Sequence, residues 1–179
     1  MLRVISGTAK GRNLIVPDSG TRPVTDRIKT VVFDLVREYL PSARVIDLFA
    51  GSGAYGIEAL SRGASFCHFI DNGAEAIAAI TANLASCEFP AEQFTVTKGK
   101  LPGVLTDLAA QNQFDLIFID PPFTKITEFQ LSSYSSLLTA DNLTVLRWPV
   151  QLQLILAKNI NLLHSERLGE SSVYFLRKV

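Results

Sequence analysis

The spacing of apolar positions changes several times along the chain, and each change marks an element. Residues 25–40, TDRIKTVVFDLVREYL, place apolar side chains at 28, 31, 32, 35, 36 and 39. That is the spacing of one helical face. Thr25 stands where an N-cap is expected, Asp26 falls in the first turn, and Pro41 is expected to end the helix. From there strand-like and helix-like runs alternate. Strands are predicted over 43–49 (ARVIDLF), 65–71 (SFCHFID), 94–99 (FTVTKG), 114–120 (FDLIFID) and 142–148 (NLTVLRW). Helices are predicted over 53–63 and 74–87, with a weaker periodicity over 101–111. Residues 127–139 fit a helix or a loop. The runs QLQLILAKNINLL (151–163) and SSVYFLRKV (171–179) read as two more strands. Ahead of all these, 2–7 and 12–17 flank TAKG as a β-hairpin with Lys10 and Arg12 near its turn, and DSGTRPV (18–24) reads as a loop.

Strands separated by helical segments predict an α/β fold with a mostly parallel central sheet and helices on both faces. The hairpin is then an N-terminal extension (1–24) on a main domain (25–179). Sheets of this kind take ligands outside the carboxyl ends of their strands. The positions to inspect are therefore 47–53, 71–73, 99–101 and 120–123.

Composition narrows the class. The chain has 179 residues, 47% of them hydrophobic, which suits one compact domain. Net charge is zero, but its distribution is uneven. Residues 1–44 carry eight basic and four acidic residues; the remainder carries nine and thirteen. A basic head on an acidic body suits a polyanion contact at the N-terminus, and an ordinary solvated surface has the same look. Cys67, Cys87, His68 and His164 show no metal-ligand spacing. There is no secretory h-region and no bilayer-length apolar run, so a cytoplasmic monomer without metal or membrane contact is expected.

The first strand end is glycine-rich. DLFAGSGAYG (47–56) contains Gly51-x-Gly53-x-x-Gly56, with Asp71 twenty residues past Gly51. Read mechanically, that spelling predicts a dinucleotide site. Asp47 argues otherwise, because a carboxylate beside a pyrophosphate repels it. A ligand with an ammonium or sulfonium group, such as S-adenosylmethionine, is attracted instead, and Asp71 is placed to accept from its ribose. The fourth strand ends in Asp120-Pro121-Pro122-Phe123. The prolines stop the ladder, Asp120 can accept from an exocyclic amine, and Phe123 offers a face for a flipped-out base, typically worth about 1–3 kcal/mol. In a doubly wound sheet the fourth strand commonly lies beside the first, so both motifs would share one cleft. A plain turn reading of Asp-Pro-Pro also exists.

These residues resemble a known family. VIDLFAGSGAYGIEALSRGA (45–64) and FIDPPF (118–123) are similar to the motifs of class I, S-adenosylmethionine-dependent amino methyltransferases with an N/D-P-P-Y/F signature. RVISGTAKGRNLIVPDSGTRPVTDRIKTVVFDLV (3–36) is similar to the opening of the bacterial 16S rRNA guanine-N2 methyltransferases, in which G-x-x-(K/R)-G-R-x-L precedes R-P-T-x-D-R-x-(K/R). The resemblance covers 3–63 and 114–123 and fades after 125. It implies a Rossmann-like class I methyltransferase fold and methyl transfer to a guanine amine of 16S rRNA, within a partly assembled small ribosomal subunit. It implies that Asp47, Ala50, Gly51, Gly53 and Asp71 hold S-adenosylmethionine; with Lys100 in place of the usual Asp or Asn, the Leu101 backbone would meet the adenine instead. Arg22, Thr25 and Asp26 would lie in a loop covering it. Asp120, Pro121, Pro122 and Phe123 would hold the base, and Lys10, Arg12 and Arg27 would meet RNA.

Three positions depart from the family pattern. Asp71 stands where glutamate is usual, Lys100 where Asp or Asn tends to meet the adenine, and Arg147-Trp148-Pro149 where the fifth strand usually ends in an acid. Three other readings therefore stay open: an amino methyltransferase acting on adenine N6 of DNA or RNA, a ribosome-assembly protein that binds RNA without catalysis, and an NAD-dependent oxidoreductase.

Overall fold

The computed structural model describes residues 2–18, 24–105 and 113–179. Its elements are α1 (Asp26–Leu35), β1 (Arg44–Leu48), α2 (Ala54–Ser61), β2 (Phe66–Asp71), α3 (Ala74–Ser86), β3 (Phe94–Lys98), β4 (Leu116–Ile119), β5 (Leu143–Pro149), β6 (Ile160–Leu168) and β7 (Ser171–Lys178). Seven strands form one sheet in the order β3-β2-β1-β4-β5-β7-β6. The pairs among β1 to β5 are parallel, while β7 runs antiparallel to β5 and β6 antiparallel to β7. The order reverses at β1, between β2 and β4. The crevice there is where such sheets bind ligands.

The central strands read as near-continuous apolar runs because both faces of the sheet are covered. Side chains alternate between the faces with period two. Val45, Phe69, Phe118 and Val145 meet Phe33 of α1, Tyr55 and Ile57 of α2 and Ile80 of α3. Ile46, Leu48, Ile70, Ile117, Ile119 and Leu146 turn the other way, toward Leu105, Leu131, Tyr134 and Trp148. Full burial of one such side chain contributes roughly 1.5–3 kcal/mol. By the same alternation Asp47, Asp71, Asp120 and Arg147 all lie on the face of Val45 and Phe118. That parity brings four charged residues from four strands to one side of the sheet.

Thr25 caps α1, its Oγ1 accepting from the Ile28 N–H at 3.3 Å. The α-helix stops at Leu35, and one 3-10 turn, Arg37–Tyr39, carries the chain to Pro41. Other elements also differ from expectation. The N-terminal arms form a narrow hairpin with one bridge, Arg3 to Asn13, and backbone bonds from Val4 to Arg12, Gly11 to Val4 and Leu14 to Leu2. Leu2, Val4, Ala9 and Leu14 are buried in the same core as the sheet, so inward packing rather than ladder length holds these arms. Residues 127–139 hold the end of one 3-10 turn (Phe123–Glu128) and a second, Leu131–Tyr134. The segment 101–111 falls largely outside the described residues; its described part is a turn.

The strand predicted over 151–163 begins only at Ile160. β7 occupies the edge beside β5, so the chain after β5 pairs only once it reaches the far side of β7, as β6. The alternating apolar residues of 151–159 form an irregular strap instead, with Ile155 82% exposed. Among the described residues no helix is long and apolar enough to cross a membrane.

Candidate active site

The loop after β1 bends sharply into α2. Phe49, Gly51 and Gly53 adopt φ of 60°, 56° and 76°. A left-handed phenylalanine is strained, and such strain collects at functional sites. Gly51 is free of packing demands: a Cβ there would meet only the Phe49 carbonyl, at 4.0 Å. Gly56 is the opposite case, because a Cβ would lie 2.3 Å from Phe69 Cε1 and 2.5 Å from Cys67 Sγ. The last glycine of the motif therefore serves close helix-to-sheet packing, while Gly51 leaves open space before the loop.

Two carboxylates hold this loop through backbone amides. Asp47 is 1% exposed and accepts from the Gly56 N–H at 2.9 Å; its other oxygen is buried without a hydrogen-bond partner among the described residues. Burial pushes its carboxyl well above the usual range; the Gly56 N–H opposes this, and Asp120 and Asp71 add to it. Asp71 accepts from the N–H of Gly51 at 2.9 Å with one oxygen and from Gly73 at 2.8 Å with the other. Its carbonyl accepts from Gly99, which brings the turn at 99–101, with exposed Lys100 and half-buried Leu101, to the same strand end.

The end of β4 is held differently. Ile119 pairs with Leu48 on one side and Leu146 on the other, so the next register step sets Asp120 beside Arg147. Arg147 Nη1 donates to both Asp120 oxygens, at 3.0 and 3.3 Å. Its Nε donates to Ser171 Oγ at 3.2 Å, and its guanidinium lies 4.9 Å from the centre of the Phe123 ring. The two charged side chains are only 12% and 17% exposed. Burial raises the Asp120 pKa, and the Arg147 guanidinium pulls it back down. Tyr55 of α2 stacks on Phe118 at 5.0 Å, and its buried hydroxyl has no hydrogen-bond partner among the described residues. Burial, then the Asp120 charge, keep that hydroxyl a neutral donor.

Residues 2–177 match the family described as Conserved hypothetical protein 95. Ribosomal RNA small subunit methyltransferase D of Haemophilus influenzae is 34% identical over 79% of this chain and 72% of its own length. The Escherichia coli K12 protein of the same name is 35% identical over 69% and 61%. The solved structure of Thermus thermophilus hypothetical protein TTHA0928 superposes with a TM-score of 0.84 at 29% identity, covering all of both chains. The chain belongs to the ribosomal RNA small subunit methyltransferase D family. Membership sets aside the dinucleotide reading of the glycine spelling.

Within this family frame, the structure gathers most of the residues singled out in the sequence. Ala50, whose N–H donates to Ile70, joins Gly51, Gly53 and Asp71 at the ends of β1 and β2. Asp120, buried Pro121, Pro122 and Phe123 follow at the end of β4. Thr25 serves as the α1 cap, and Asp26 pairs with Arg3 at 3.3 Å. Lys10 and Arg27 are exposed, and Arg12 forms an exposed pair with Glu88 at 3.2 Å. Arg22 lies outside the described residues.

Sequence reasoning missed the buried polar clasp under the N-terminal hairpin. Glu58 accepts from the N–H groups of Ile5 and Ser6 at 2.8 and 3.0 Å, from Lys29 Nζ at 3.2 Å and from Arg62 Nε at 2.8 Å. Lys29 also donates to the Arg3 carbonyl. Asn83 binds both backbone groups of Ile15 and the Ser52 carbonyl, tying the second arm to the glycine loop. The available signal was a charge inside an otherwise apolar helix face, at Lys29 and Glu58. Tyr55 gave no signal beyond its place in the glycine motif.

Proposed function

We propose that the protein is an S-adenosylmethionine-dependent methyltransferase of ribosomal RNA, and that it methylates the exocyclic N2 amine of a guanine in 16S rRNA. The observation that carries this reading is the pairing of β1 with β4, which joins the Ala50–Gly53 loop to Asp120-Pro121-Pro122-Phe123 across one crevice. The names of the relatives support ribosomal RNA as the substrate, and the N-terminal resemblance supports guanine N2.

The residues present suit S-adenosylmethionine. Gly51 faces open space, Asp71 stands at the β2 end with lone pairs left beyond its two backbone contacts, and a carboxylate oxygen of Asp47 that has no partner among the described residues lies beneath the loop. When bound, the cofactor supplies a sulfonium methyl with a good leaving group, so no strong base is demanded of the protein. The chain's own part is placement. Asp120 and the backbone at Pro121 accept from the target amine and turn its nitrogen lone pair toward the cofactor side. Phe123 stacks the extruded base. Asp120 is also the nearest acceptor for the proton that the methylated nitrogen sheds. Positioning and preorganised charge carry such a transfer.

Residues 1–24, with exposed Lys10 and Arg12, and Arg27 on α1 form the RNA-contact side. The small basic area suits a partly assembled small subunit, which presents the base already positioned. The test is to label small subunits or 16S rRNA lacking the modification with methyl-labelled cofactor, digest, and identify the nucleoside. N2-methylguanosine is expected. N6-methyladenosine would transfer the same chemistry to the adenine reading, and cofactor binding without any labelling would favour the non-catalytic one.

A further inference from the structure

Arg147 makes the two side-chain contacts that the proposed reading gives to the substrate base. It donates two hydrogen bonds to Asp120, at 3.0 and 3.3 Å, and its flat guanidinium lies over the Phe123 ring at 4.9 Å. A flat, N–H-rich cation on that ring, bonded to that carboxylate, stands in for a flat base presenting an amine. Both cannot hold the same face of Phe123 at once.

We propose that Arg147 is a specificity-determining gate: it masks Asp120 and Phe123 until an RNA phosphate flanking the target base draws its guanidinium away. This rests on the amino methyltransferase reading above. An arginine fork matches a phosphate as well as it matches a carboxylate, with the same paired N–H donors. The Asp120 pair is only partly exposed, so parting it without a substitute partner is strongly unfavourable. A phosphate supplies that substitute; a free nucleoside does not. The Nη2 group makes no hydrogen bond among the described residues, so one edge of the fork is unengaged at the start. Ser171 Oγ, bonded to Nε, tethers the side chain on the β7 side. The β4–β5 ladder already joins the two strands, so their pairing does not depend on this ion pair. The consequence is selection for a base carried on a polynucleotide over the same base free in solution.

The test compares methyl transfer to unmodified 16S rRNA and to guanosine by wild-type protein, Arg147→Gln and Arg147→Lys. Cofactor affinity, measured by calorimetry, checks the fold of each variant. For Arg147→Gln the ratio of RNA to nucleoside activity is expected to fall at least about tenfold. KM for RNA should rise, and the slope of log KM against log salt should fall by about 0.7–0.9, the loss of one phosphate contact. Arg147→Lys keeps the charge without the fork; it is expected to keep the slope and lose part of the ratio. Should the glutamine variant not fold, the lysine variant still decides. An unchanged ratio in a cofactor-competent variant, with wild-type transfer to RNA intact, overturns the gate alone. A wild-type protein that binds cofactor and labels no RNA overturns the reading beneath it as well.

Discussion

The two strand ends that meet in the crevice are secured by different means. At β1 and β2, Asp47 and Asp71 are held by backbone N–H groups of Gly56, Gly51 and Gly73. Backbone donors on a packed turn cannot swing away, so that side is fixed before any ligand arrives. At β4, Asp120 is held by a side chain, the Arg147 guanidinium. Side chains exchange partners through rotamer changes, so that side can be opened. Under the proposed function the contrast becomes a division of labour: a preorganised wall for the cofactor and a switchable one for the base.

Breaking Asp120 has the largest expected effect. Asp120→Ala should lower turnover by about 10²–10⁴-fold, the range for loss of a positioned acid–base or charge-stabilising group. Cofactor affinity should stay within a few-fold, because the fixed wall is untouched; single-turnover rates and calorimetry together check this. Gly56→Ala attacks the other wall. Its Cβ would strike Phe69 and Cys67, so a loss of about 1–3 kcal/mol in urea unfolding is expected, with weaker cofactor binding.

A smaller and pH-dependent effect is expected for Asp47→Asn. Burial raises the folded-state pKa of Asp47 above the unfolded value of about 3.9. The folded protein thus holds that proton more tightly than the unfolded chain. The resulting stability is fully present below about pH 3.9 and is lost as pH rises through the raised folded value. Up to about 1.4 kcal/mol per pH unit is at stake within that window. The asparagine variant, which does not ionise, should gain Tm relative to wild type as pH rises from 4 to 7. A constant difference across that range would contradict the assignment. Arg12→Ala should matter least to the fold: its pair with Glu88 is exposed and worth about 0–1 kcal/mol. Its effect should be confined to weaker RNA binding with a shallower salt slope.

Much of this architecture was legible in the sequence because burial leaves a period. The runs at 44–48, 66–71, 94–98 and 143–149, and the helices at 26–35, 54–61 and 74–86, follow apolar spacing closely. The strap at 151–159 was misread because QLQLILA alternates as a strand does, while the edge beside β5 is taken by β7, which comes later in the chain. The glycine loop and the Asp-Pro-Pro-Phe turn were legible as strand-end features because glycine and proline impose backbone geometry locally. Arg147 was visible only as a departure from pattern. Its meaning depends on register: Ile119 opposite Leu146 puts residue 147 beside residue 120, and no local signal carries that. The Glu58 clasp was hidden for the same reason, since its partners come from residues 5, 6, 29 and 62.

The claim that the two walls serve different ligands is tested most directly by one paired measurement on Asp47→Ala and Asp120→Ala: the cofactor Kd by calorimetry and the single-turnover rate at saturating cofactor. Asp47→Ala should weaken cofactor binding and recover most of its rate at saturation, whereas Asp120→Ala should bind cofactor nearly as wild type does and remain slow. The same defect in both variants would contradict the account.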